Sequence, residues 1–175
     1  MRIVSACLIA LFFLAFFAKV SYAQVESFPQ ATEGQITEAV EKLPHIRFLP
    51  SNPLHFFIGI KENISRFLNS SSVKRTRFDL TLSGKRLKET YLLTEKNDVK
   101  NASKALFAYS RRLEKLREQM DKARSQNQVV VELSEKIADD FAMHERLLYA
   151  ISQKSESFQN SYNFDDNLKR AKNEF

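Results

Sequence analysis

The sequence predicts an all-α protein: short N-terminal helices followed by long amphipathic helices packed as an antiparallel bundle or coiled-coil-like hairpin. Three observations point there. Three Gly and four Pro in 175 residues cannot supply the turns of a many-stranded sandwich, nor the Gly-rich loops of a nucleotide-binding sheet. Trp is absent, and a single Cys permits neither a disulfide framework nor a cysteine metal cluster within one chain. Hydrophobic residues make up 43%, a globular share that excludes a chain disordered throughout, and they recur at helical spacing.

Met1 to Ala23 reads as an export signal. Arg2 supplies a positive start and Ile3 to Ala18 is apolar apart from Ser5. Val20-Ser21-Tyr22-Ala23 then puts small residues at the −3 and −1 positions of a cleavage site before Gln24. The alternative is an uncleaved anchor. The apolar run would span only ~24 Å of a ~30 Å hydrocarbon core, and Lys19 closes it. Cys7 precedes most of the apolar run instead of following it, which argues against a lipoprotein box. Cleavage removes Arg2, Lys19 and no acid, taking the net charge from +6 to +4, and it removes the only cysteine. Thiol catalysis is then excluded, and the chain suits an oxidising compartment.

Residues 24–47 are expected to be a flexible lead-in, polar through Gln35, with one short helix carrying Ile36, Val40 and Leu43 and ended by Pro44. Leu49-Pro50-Ser51-Asn52-Pro53 punctuates the chain. Asn52 can cap a following helix and Pro53 fits its first position. Leu54, Phe57, Ile58, Ile64, Phe67 and Leu68 keep helical spacing up to the break at Asn69-Ser70-Ser71-Ser72. A longer helix follows from Val73 to about Thr94, with Leu80, Leu87 and Tyr91 in its main stripe beside Phe78 and Leu82. Gly84 lies in the middle. Glycine costs about 1 kcal/mol there relative to alanine, so either the site tolerates it or, the better account, a neighbouring helix crosses closely.

The heptads are the clearest signal. Val99, Leu106, Leu113 and Met120 repeat every seven residues, interleaved with Ala102, Tyr109, Leu116 and Ala123. Ser125-Gln126-Asn127-Gln128 is a short polar connection. A second set follows: Val130, Ile137, His144, Ile151 and Phe158, with Ser134, Phe141, Leu148 and Ser155 between them. Two helices of similar length joined this way are expected to pack antiparallel. The domain is therefore drawn over 48–155, leaving 156–175 as a polar tail with one final turn near Asp165 to Lys172.

Little in the chain suggests chemistry. His45 and His55 flank Pro-containing turns, and neither belongs to a His-x-x-x-His or His-Glu-x-x-His pair. His144 occupies a core heptad position one turn after Asp140; a metal would need further ligands where the facing stripe offers Tyr, Leu and Met. The expectation is a half-buried histidine paired with Asp140 or packed through its ring. Acids mostly alternate with Lys and Arg at helical spacings, which is a surface pattern. No P-loop, Gly-x-Ser-x-Gly or dinucleotide motif is present, so no catalytic residue, cofactor or metal is expected. Basic clusters at Lys74-Arg75-x-Arg77, Lys85-Arg86-x-Lys88 and Arg111-Arg112-x-x-Lys115-x-Arg117 read first as solvated faces. On an exported protein they would meet lipid head groups, cell-wall polymers or an acidic partner, not nucleic acid. Asn63-Ile64-Ser65, Asn69-Ser70-Ser71 and Asn101-Ala102-Ser103 match the glycosylation tripeptide, a pattern that arises often by chance.

Two segments together resemble the bacterial family called domain of unknown function 5667. Its Leu-Pro-Asp-Ser-Pro-[Leu/Phe]-Tyr type of signature is matched by Leu49-Pro50-Ser51-Asn52-Pro53-Leu54-His55. Its Leu-x-Leu-Ala-x-x-Arg-Leu-x-Glu type of pattern is matched by Leu80-Thr81-Leu82-Ser83-Gly84-Lys85-Arg86-Leu87-Lys88-Glu89. Ser51, His55 and Ser83 depart from the acid, the tyrosine and the alanine. The likeness covers roughly 48–150. It implies an exported or membrane-attached helical domain, with no activity assigned and no site residues to carry over.

The sequence thus leads to an exported, non-enzymatic structural or interaction module of the cell envelope, located outside the cytoplasm or anchored by its N-terminus. The alternative is an envelope-surface binder, a periplasmic sensor or chaperone-like protein contacting an anionic surface or unfolded chains. Arg111, Arg112 and Arg117 are the candidate outward face, toward an unidentified protein or an anionic envelope component. Membrane contact is expected only through the first segment if it is retained, and self-association through the helical stripes.

Overall fold

The structure is a computed structural model, and the residues described are 28–155, 158 and 162–174. The export signal and its cleavage point at Ala23–Gln24 lie outside the described residues, as does part of the expected tail. Among the described residues all regular structure is helical: α1 Glu33–Lys42, α2 His55–Leu68, α3 Ser72–Glu95, α4 Val99–Ser125, α5 Val131–Ser155 and α6 Tyr162–Glu174.

Local chemistry sets most boundaries. Thr32 accepts from the Gln35 amide while the Gln35 side chain accepts from the Thr32 amide, a reciprocal capping box. That box starts α1 at Glu33, inside the stretch expected to be a flexible lead-in. The Asn52 side chain accepts from the Leu54 amide at 2.9 Å and its carbonyl from the His55 amide. However, α2 begins only at His55, with Leu54 as its N-cap and no side-chain cap, so Asn52 and Pro53 form the turn leading into the helix instead of its cap and first position. Ser71 and Asp98 cap α3 and α4 through the Lys74 and Asn101 amides. With no glycine at these ends, Asn97 (φ 56°) and Asn127 (φ 52°) take the left-handed conformation that stops α3 and α4.

α3 and α4 form the tightly packed antiparallel hairpin at the centre. This corrects the expectation that α4 and α5 would be the hairpin. The turn at residues 96–98 closes α3 onto α4, and α5 instead packs along α3. Glu132 at the start of α5 lies near Arg77, and Lys154 at its end bonds Glu95 at 3.0 Å, so α5 runs parallel to α3. The first α4 heptad set is buried from Ala102 to Ala123, as its period demands. The second set is followed only in part. His144, Leu148 and Ile151 are buried, but Leu133 and Leu147 replace Ser134 as core residues of α5 because α3 is the partner. α1 rests on α5 through Ala39 and Leu43, with a Glu38–Arg146 pair at its edge. α6 adds Phe164 and Ala171 to the core and lies on α4, where Asn167 donates to Ser103. The polar C-terminal stretch therefore carries a packed helix.

Gly84 is a close crossing. A Cβ there would lie 2.9 Å from Leu43 Cδ2, 3.2 Å from His144 Nε2 and 3.4 Å from Pro44 Cδ. A methyl there would have to displace the Leu43 side chain and press on the His144 ring.

Candidate functional site

α2 is built inside out. Leu54 at its N-cap and its residues Phe57, Ile64, Phe67 and Leu68 share a helical face with Phe56 and Ile60, and every one of these is exposed. Phe56, Phe57, Phe67 and Leu68 show 68%, 65%, 84% and 73% of their surface to solvent, and Glu62 is the only buried residue of the helix. The opposite face, carrying His55, Glu62 and Arg66, lies on α3. α2 contributes no side chain to the hydrophobic core.

Ion pairs hold it there. Glu62 bonds Lys85 Nζ at 2.5 Å and the Arg86 guanidinium, whose other amino group reaches both oxygens of Glu89 at 2.7 Å. His55 Nε2 is 3.3 Å from the same Glu89. One helical stretch away, Arg66 grips Asp79 in a fork at 3.1–3.2 Å while Arg112 of α4 donates to Asp79 Oδ1 at 3.1 Å. Asp79 and Glu89 are wholly buried. Such charges are tolerated only because each carboxylate is bonded to arginine, Asp79 to Arg66 and Arg112 and Glu89 to Arg86. The spacing is helical on both sides: 55, 62 and 66 on α2 meet 79, 86 and 89 on α3.

Two grooves flank α2. One, of about 570 Å³, is lined by Phe48, Phe57, Ile58, Phe78 and Leu82 with Arg47, Lys61 and Lys85. The other, of about 400 Å³, lies between the start of α2 and α4 and carries Lys104, Arg111, Arg112 and Lys115 beside Phe107. The only carboxylates in either lining, Glu62 and Glu89, are already bridged to Arg86. Burial lowers the Lys115 ammonium from its ordinary value, and the nearby Arg112 and Arg66 lower it further. Burial likewise lowers Arg112, with Asp79 pulling the other way.

The expected outward arginine face is not one face. Arg111 is exposed and pairs with Glu114 at 3.0 Å, and Arg117 is exposed. Arg112 turns inward to Asp79 because α3, not solvent, lies beside that position of α4. His144 packs through its ring, one of the two arrangements expected, but more deeply than expected. It is wholly buried and does not meet Asp140, which bonds Lys136 instead. Its Nδ1 lies 3.3 Å from the Tyr109 hydroxyl, its ring stacks on Phe141, and Nε2 has no partner. Burial drops its pKa to about 3, so it is neutral. No group of three His, Cys, Asp or Glu among the described residues could hold a metal ion.

Sequence reasoning missed the ion network. The signal was available in the heptad-like spacing of His55, Glu62 and Arg66, opposite a helix whose interior carries Asp79, Arg86 and Glu89.

Fold and site together define a small helical domain whose distinctive surface is an apolar helix mounted on buried charge. The chain belongs to the family Domain of unknown function (DUF5667), which it matches over residues 47–140, just over half of the sequence. No curated protein and no solved structure matches it. The matched stretch holds every residue of the ion network and stops short of His144.

Proposed function

We propose that the protein is an exported, non-enzymatic interaction module of a bacterial cell envelope that docks through α2. The observation that carries this reading is the outward apolar face of α2, fixed by charges that are all spent on one another. Monomeric proteins seldom expose apolar patches beyond about 300–600 Å² unless the patch is a contact site. Three phenylalanines at 65–84% exposure alone leave roughly 300–550 Å². The buried Arg, Asp and Glu side chains hold α2 to α3 and α4, and the carboxylates lining its two grooves, Glu62 and Glu89, are both bonded to Arg86. The apolar run before Ala23 supports export.

The test is fractionation of the chain expressed in a bacterial host, beside the variant Phe56→Asp with Phe67→Asp. The intact chain is expected outside the cytoplasm, starting at Gln24 by mass, and to sediment with the envelope; the variant is expected outside the cytoplasm but released. Retention of both in the cytoplasm would overturn the export reading. Equal sedimentation of the two would overturn docking through α2.

A further inference from the structure

We infer that α2 is an interfacial helix that lays this domain flat on an anionic lipid bilayer, its phenylalanines in the acyl boundary and the flanking cations on head-group phosphates. The inference rests on the docking role of α2 and names its partner.

Dimensions come first. Fourteen residues make α2 about 21 Å long, too short to cross a ~30 Å hydrocarbon core. No helix among the described residues is long and apolar enough to span. A short helix that is apolar along one side and tethered at both ends can lie on a membrane, with its apolar face ~5–10 Å deep.

Charge then selects the surface. On one side of the apolar face the groove offers Arg47 and Lys61, and on the other Lys104 and Lys115. The acids of both grooves are buried against Arg86. α2 itself has no exposed carboxylate, its single acid being Glu62. A second copy of the chain meeting this face would bring cation against cation. An anionic bilayer complements both the apolar stripe and its basic flanks, and each such cation is worth about fivefold in affinity near an anionic surface. This departs from the expectation that the first segment alone would touch a membrane. The difference arises because α2 faces outward.

The chain has no tryptophan, so Phe67→Trp creates a single reporter on the most exposed residue of the face. The reporter is read by emission wavelength and by quenching from brominated lipid. Vesicles of phosphatidylglycerol with phosphatidylcholine are compared with phosphatidylcholine alone. The expected result is a blue shift and quenching with the anionic vesicles, weakened by salt. Lys61→Gln and Lys104→Gln, one on each flank, should each lower the apparent affinity about fivefold with unchanged circular dichroism. Because the reporter sits on α2, a retained first segment inserting by itself would leave it in water. Emission that stays water-like with anionic vesicles overturns the inference, as does equal burial with neutral ones. A blue shift that grows with protein concentration before lipid is added also overturns it, giving the face to a second copy while leaving docking through α2 intact.

Discussion

His144 gives the protein a pH-dependent stability whose size follows from its surroundings. The folded imidazole is neutral down to about pH 3 because it is sealed between Phe141, Tyr109 and the α-carbon of Gly84. The unfolded imidazole titrates near its ordinary value of about 6.5. As pH falls, the unfolded chain takes up a proton that the folded chain refuses. The stabilising difference is therefore complete above about pH 6.5 and is lost at about 1.4 kcal/mol per unit as pH falls toward 3. Between about pH 7.5 and about pH 5 the loss is roughly 2 kcal/mol. His144→Leu removes it. At the higher pH the variant should nearly match the parent. It eliminates the unpartnered Nε2 but strands the buried Tyr109 hydroxyl, and each such group carries a similar penalty of about 1–3 kcal/mol. Urea unfolding of both proteins at the two pH values measures the difference of differences, in which the other titrating groups cancel. The variant should gain roughly 2 kcal/mol on the parent at the lower pH. Parallel pH dependence in the two proteins would refute a neutral, sealed His144.

Two further substitutions test the packing on either side of α3. Asp79→Asn keeps the shape but removes the charge that Arg66 and Arg112 share; urea unfolding should show a loss of about 3–5 kcal/mol, as for other buried pairs stripped of one partner. Gly84→Ala would gain about 1 kcal/mol of helix propensity and lose about 1–3 kcal/mol by pressing on Leu43 and His144, so thermal unfolding should show a net fall in Tm.

Most helices were legible in the sequence because their boundaries are set by neighbours in the chain. Ser71 and the break at residues 125–128 act within a turn or two, and the α4 heptads name their own buried face. Gly84 was legible for a related reason: its local penalty has to be offset by something in space. What could not be read was the choice of partner. The length of the 126–128 connection suggested α4 with α5, whereas the matching of α5 to α3 depends on Leu133, Leu147 and the groove at Gly84. Arg112 shows the same limit, since a basic residue amid basic neighbours looks solvated until Asp79 is placed beneath it. His144 stood at a core position in the sequence, but its isolation from Asp140 follows from which helix covers it. The capping box at Thr32 and Gln35 was visible in the sequence and marks the true start of α1.

Periodicity shows that a helix has an apolar face without showing which way that face points. For α2 the direction is decided by what lies beneath it. Rolling the helix over would cover Phe56, Ile60, Ile64 and Phe67, a gain of about 1.5–3 kcal/mol for each side chain fully buried. The surface that would cover them is not apolar. Asp79 would lose Arg66, Glu89 would lose His55, Glu62 would leave Lys85 and Arg86, and carbon would replace hydrogen-bonding atoms against buried charge. Removing one partner from a buried pair costs about 3–5 kcal/mol, so two broken sites are enough to offset most of that gain. The charges beneath α2 thus act less as a source of stability than as a selector of orientation, holding the helix polar side in. A helix held this way keeps its apolar face available. Covering that face from outside adds the burial energy without breaking a single ion pair, so the arrangement favours a second surface over a refolded monomer.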